Sequence, residues 1–132
     1  GKNSMNYFTS KKVKLSFDQA IAKVTELLKE EGFGVLTEID VKDTLKKKLD
    51  VDFKKYRILG ACNPNFAHVA LQAEDKIGVM LPCNVIVEEH EDGTVEVSAV
   101  NPVASMQAVT NDDLHPIAGQ VRDKLDKVIG NL

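Results

Sequence analysis

The chain has 132 residues and a mass of 14.5 kDa, the size of one ordinary domain, and its 43% hydrophobic and 28% charged residues exclude a disordered or collagenous chain. Seventeen Lys and Arg against twenty Asp and Glu give a net charge of −3, so nothing in the total favours nucleic acid or an anionic membrane. No stretch approaches the roughly 18 apolar residues of a membrane span, and the first six residues lack the apolar core of a signal peptide, so the expected location is cytoplasmic.

Charge is uneven along the chain, at +4 over residues 1–57 and −7 over residues 58–132, but folding interleaves the halves and the asymmetry has little weight. Residues 1–5 are expected to be a cloning remnant or a disordered start, and residues 6–132 a single domain. Tyr7, Phe8, Thr9 and Val13 favour a first strand near residues 6–15. Ser16 followed by Gln19 forms a capping-box pattern, and Phe17, Ala20, Ile21, Val24, Leu27 and Leu28 recur with helical period to about Glu31. Gly32 then stands where a left-handed helix end is wanted.

Val35, Leu36 and Ile39 predict a short second strand, and Asp40 can cap a second helix with Val41, Leu45 and Leu49 on one face. Lys42, Lys46, Lys47 and Lys48 cover its other faces; a solvated surface is the preferred reading over a phosphate patch, because Asp43, Asp50 and Asp52 dilute the charge. A third strand over residues 56–62 ends at Asn63-Pro64, a strong cap followed by a favoured first helical residue. The helix that follows carries Phe66, Val69, Ala70 and Ala73 and ends near Asp75.

Residues 77–89 read as one long or broken strand, interrupted by Pro82, which cannot donate to a ladder. Asp92-Gly93 turns the chain into a strand over residues 94–100, in which Val95, Val97 and Ala99 alternate with polar residues. Asn101-Pro102 ends it, residues 102–110 read as a loop, and Leu114, Ile117, Ala118, Val121, Leu125 and Val128 line a terminal helix closed by Gly130. The predicted fold class is α+β, a two-layer arrangement with an antiparallel sheet of about five strands and two main helices on one face. Short extra helices are inserted between the strands.

Chemistry concentrates at Gly60-Ala61-Cys62-Asn63-Pro64. A thiol just before a helix start lies near unpaired N–H groups and the positive end of the helix dipole, which favour a thiolate or an anion. Gly60 would let a ligand or another backbone approach closely. Leu81-Pro82-Cys83-Asn84 repeats the same residue types, and Asn84 could bond carbonyls that Pro82 leaves unpaired. Against this stands the ordinary use of cysteine as a small buried hydrophobe. His68, six residues beyond Cys62, is a candidate base for a thiol nucleophile, although its ring need not face the sulfur.

The two cysteines are too few for a disulfide framework and form no Cys-x-x-Cys pair. His90 and His115 are expected to be exposed, and the three histidines and two cysteines do not reproduce a zinc spacing. The Glu88, Glu89, Glu91 and Asp92 cluster reads as a solvated hairpin tip, so no metal and no cofactor is expected. The glycine-rich nucleotide loops and the G-x-S-x-G hydrolase elbow are missing from the sequence.

Four blocks carry a resemblance: residues 32–41, residues 56–64, Ala67-His68 with Ala70-Leu71, and Ile77-Gly78 with residues 81–85. Together they resemble the bacterial and archaeal domain-of-unknown-function-302 family, over nearly the whole chain from about Tyr7 to Ile129. The resemblance implies a fold of the TATA-box-binding-protein-like group, strand-helix-four strands-helix, and a homodimer. It implies neither DNA binding nor a reaction. The family's motif residues fall on Gly60, Cys62, Asn63, Pro64, His68, Pro82, Cys83 and Asn84, none with a settled role.

The preferred functional reading is a non-catalytic homodimeric module that binds a small molecule or an anion near the Cys62-Asn63-Pro64 helix start, with Gly60, Pro82, Cys83 and Asn84 at the site. The alternative is a thiol-dependent enzyme or redox sensor using Cys62 with Cys83 or His68. Neither reading calls for nucleic acid or membrane as a partner.

Overall fold

Alternation of apolar and polar residues with period two requires a sheet with one covered face. The computed structural model, which describes residues 6–132, meets that requirement with a five-stranded antiparallel sheet. The start expected at residues 1–5 lies outside the described residues. The elements are β1 (Phe8–Val13), α1 (Phe17–Glu30), β2 (Gly34–Asp40), α2 (Val41–Leu49), β3 (Tyr56–Cys62), α3 (Pro64–Ala73), a 3₁₀ helix (Asp75–Met80), β4 (Cys83–Glu89), β5 (Val95–Val100), α4 (Pro102–Ser105) and α5 (Leu114–Gly130). In space the strands run β1-β5-β4-β3-β2. The α+β expectation stands.

The caps read from the sequence form as the chemistry demands. Ser16 Oγ accepts from the Gln19 N–H at 3.1 Å and Gln19 Oε1 accepts from the Ser16 N–H at 3.1 Å, closing the capping box of α1. At its other end Gly32 takes φ +87°, and the Phe33 N–H donates back to the Leu28 carbonyl at 2.9 Å. Asp40 Oδ1 accepts from the Asp43 N–H at 2.9 Å and starts α2. The β4–β5 hairpin turns at Gly93, φ +85°, with Asp92 Oδ1 accepting from the Thr94 N–H at 2.9 Å.

The core lies between the inner sheet face and the two longest helices. Leu59, Val85, Val87 and Val97 are fully buried against Ala20, Val24 and Leu28 of α1 and Leu125 and Val128 of α5. A smaller cluster of Ala70, Ile77 and Leu114 joins α3, the 3₁₀ helix and α5. Ile117 packs against both clusters.

Two expectations need correction. Residues 77–80 belong to the 3₁₀ helix and not to a strand, and Ile77 is buried in the smaller cluster instead of in the sheet. Residues 102–105 are helical: Asn101 Oδ1 accepts from the Val103 N–H at 3.0 Å, and Pro102 fills the first helical position. The second helix forms where the sequence places it, and because it contributes no buried residue it rides on the surface.

Burial therefore separates two leucines of similar helical context. Leu28→Ala, at a site with 0% exposure, should cost about 2–5 kcal/mol. Leu49→Ala, at 65% exposure, should stay within about 0.5 kcal/mol, as read from urea unfolding midpoints.

Candidate functional site

Where β3 gives way to α3 the sheet ends, and a cavity of about 370 Å³ opens there. Ala61, Cys62 and Asn63 form one wall and Leu81, Pro82 and Cys83 another. Phe66, Ala67, Ala70 and Leu71 of α3 and Leu114, Ile117, Ala118 and Val121 of α5 close it, so the lining is overwhelmingly apolar. The small side chains of Ala67, Ala70 and Ala118 leave the space that larger residues would fill.

Gly60 shapes the wall behind the cysteines. A Cβ there would lie 2.1 Å from Thr37 Oγ1 and 2.8 Å from Pro82 Cγ, so the approach that the missing side chain permits is made by the protein itself. Register sets Ala61 opposite Cys83 across β3 and β4 and Gly34 opposite Cys62 across β2 and β3. Both sulfurs are free, half-buried thiols. Burial pushes the Cys83 thiol up to about 11, with the nearby Cys62 contributing in the same direction.

Asn63 is buried and joins two helix ends. Its Nδ2 donates to the Glu31 carbonyl at 3.3 Å, and its Oδ1 accepts from the Phe66 N–H at 3.5 Å. Gly32 packs beneath it, where a Cβ would meet Asn63 Nδ2 at 3.0 Å. Pro64 supplies no N–H, so the helix start offers an anion fewer donors than the sequence suggests.

The structure thus brings Cys62, Asn63, Pro82 and Cys83 to one cavity. His68 and Asn84 stand apart from them. His68 is exposed on α3 and does not line the cavity. Asn84 is exposed on the outer sheet face, opposite Gly60 in register, where it borders a second groove with Tyr7, Tyr56 and Glu88. The lysines of α2 are largely engaged locally: Lys42 donates to the Phe53 carbonyl at 2.8 Å, and Lys46 and Lys47 pair with Asp50 and Asp43 at 3.0 Å.

Sequence reasoning missed Leu36 on the β2 wall and the far side of the cavity, including Pro102, Met106 and Ala118. Ala118 lay on the recognised face of α5, but no local signal says that this face turns toward α3 as well as the sheet.

A two-layer α+β domain with an apolar cavity at the end of its sheet defines the class of protein. The family model for Domain of unknown function DUF302 matches residues 9–132, and the chain belongs to that family. A crystal structure of an uncharacterized conserved DUF302 protein from Bacillus stearothermophilus is similar at 28% identity and a TM-score of 0.87, over 94% of this chain and 96% of that one. No curated protein matches the chain.

The raised Cys83 thiol has a consequence for stability. Below pH 9 the thiol is protonated in both folded and unfolded chains; between pH 9 and 11 the unfolded chain ionises first, so native stability falls. Across that window the native protein should lose about 2 kcal/mol more than Cys83→Ala, measured by urea unfolding at each pH.

Proposed function

We propose that the chain is a non-catalytic module that holds a small, mainly apolar molecule in the cavity beside Cys62 and Cys83. The observation that carries this reading is the cavity itself, about 370 Å³ and lined almost wholly by apolar groups, within the range of small-molecule sites. Its chemistry favours an apolar body over an anion, because Pro64 and the Asn63 side chain already account for part of the helix start. Desolvating a charge there would cost more than the remaining donors return.

The thiol-enzyme alternative is supported by one observation, that both sulfurs border the same cavity. Two others weigh against it. Cys83 stays protonated at neutral pH, and His68 is not placed to take a proton from Cys62. Free thiols suit a reducing compartment, and the cytoplasm is part of the proposal. Among the described residues no helix is long and apolar enough to cross a membrane.

Pairing with a second copy completes the reading. Its support is the outer sheet face, where Phe8 and Ile39 are exposed beside half-buried Ile58, Ile86 and Val100. Light scattering should return twice the 14.5 kDa chain mass; a mass of one chain at micromolar concentration removes the dimer.

The cavity is tested with the apolar fluorophore N-phenyl-naphthylamine. Native protein should bind it saturably, and Ala67→Trp, which fills the space from α3, should weaken binding at least about tenfold while the urea midpoint stays near that of the native chain. Equal binding by both proteins, or none by the native one, would overturn the reading.

A further inference from the structure

The outer face of the sheet carries a second constellation, built from residues far apart in the chain. In the β4–β5 ladder Glu88 stands directly opposite Glu96. Their neighbours Val87 and Val97 point into the core, so the two carboxylates share the outer face. Like charges at directly opposed positions destabilise a ladder unless something positive lies between or beside them. His90, just beyond β4, reaches back to this pair, and its Nε2 lies 2.7 Å from Glu96 Oε1.

From this arrangement we infer that Glu88, His90 and Glu96 form a binding site for a divalent transition-metal ion of the zinc, manganese or ferrous type. One ligand atom from each residue lies within 4.8 Å of the other two. Ligands held at about 2.0–2.2 Å from a single ion are separated by about 3–4.4 Å, so side-chain rotation closes the set without moving the backbone. Two carboxylates with one imidazole suit a borderline ion; a purely hard ion would prefer oxygen alone, and a soft one would prefer the thiols on the opposite side of the molecule.

The support around the three residues fits such a site. The Ser10 hydroxyl, on β1, donates to Glu96 Oε2 and lies 2.9 Å from Ser98 Oγ, which fixes the carboxylate from behind and leaves Oε1 directed at His90. The His90 backbone is held as well, because its N–H donates to the Thr94 carbonyl at 2.8 Å across the hairpin. Two ammonium groups compete for the carboxylates: Lys54 Nζ lies 2.7 Å from Glu88 Oε1, and Lys12 is the neighbour of Glu96 across β1. The ion would replace the hydrogen bond between His90 Nε2 and Glu96, with the proton of the neutral imidazole on Nδ1, and would displace Lys54 from Glu88. Three protein ligands leave further coordination positions to water.

The test uses the full chain after chelation and dialysis, titrated calorimetrically with Zn²⁺ and with Mn²⁺. Saturable uptake of one ion per chain is expected. Glu96→Gln and His90→Asn should each weaken it at least about tenfold, and Lys54→Met should strengthen it about two- to fivefold by freeing Glu88. Cys62→Ser with Cys83→Ser should leave it unchanged. Glu88→Gln carries the same expectation as Glu96→Gln, should the latter fail to fold. Absence of saturable uptake of both ions, uptake indifferent to the carboxylate and imidazole variants, or uptake lost with the thiols would each overturn the inference.

Discussion

Between Thr37 on β2 and Pro82 at the entry to β4 there is room for a backbone and for nothing attached to it. Gly60 occupies that gap, and a methyl group there would overlap Thr37 Oγ1 and press on Pro82 Cγ. Rotating Thr37 would relieve the first contact but not the second, since the proline ring is fixed to the chain. The close approach draws β2, β3 and the start of β4 together at one end of the sheet. β2 accommodates it with an irregularity in register between Val35 and Thr37, which leaves Leu36 and Thr37 both on the cavity wall. The cavity is thus framed on this side by backbone geometry, which side-chain motion cannot easily undo.

On its other side the cavity is framed by how two apolar clusters meet. The main core is filled by β-branched residues of the inner sheet face and the long aliphatic residues of α1 and α5. The smaller cluster beneath α3 and the 3₁₀ helix is anchored by Ile77 and Leu114. Ile117 belongs to the edge of both, and the alanines facing each other from α3 and α5 cannot fill the seam. Native interiors pack to high density, and the half-open cavity of about 370 Å³ leaves apolar surface facing water that an apolar guest would cover. This is why the space points to a guest more firmly than the helix start does.

Local chemistry made much of this legible. Ser16 with Gln19, Asp40, Gly32 and Asp92-Gly93 each name a hydrogen bond or a positive φ, and each forms as named. Asn63-Pro64 predicts a helix start, yet the same dipeptide at Asn101-Pro102 predicts only a strand end. Four residues of helix follow it, too few for any apolar period to show. Residues 77–80 mimic a strand because Ile77, Val79 and Met80 are apolar, but Ile77 alone is buried, and its partner Leu114 is remote in sequence. Cys62 and Cys83 looked alike as motifs, and only register shows that they flank one cavity while Asn84 turns to the other face. The Glu88 and Glu96 pair is not legible for the same reason: the sequence predicts the hairpin, but which acidic residues oppose one another depends on its exact loop length.

The two faces of the sheet impose opposite electrostatic rules on neighbouring residues. Inward, at the cavity, burial keeps the Cys83 thiol neutral, and a second ionised sulfur nearby would raise the cost further. Outward, farther along the same strand, Glu88 lies opposite Glu96 of β5, and the pair remains compatible with a folded ladder because Lys54, Lys12, Ser10 and His90 surround it. A charge that would be expelled on one side of β4 is stabilised on the other, within five residues of chain from Cys83 to Glu88. Alternation along a single strand is sufficient to produce the difference, since successive side chains enter media of different polarity. The inner face of the strand thus offers an apolar surface and the outer face a charged one, with no lining residue common to the cavity and to the Glu88, His90 and Glu96 cluster.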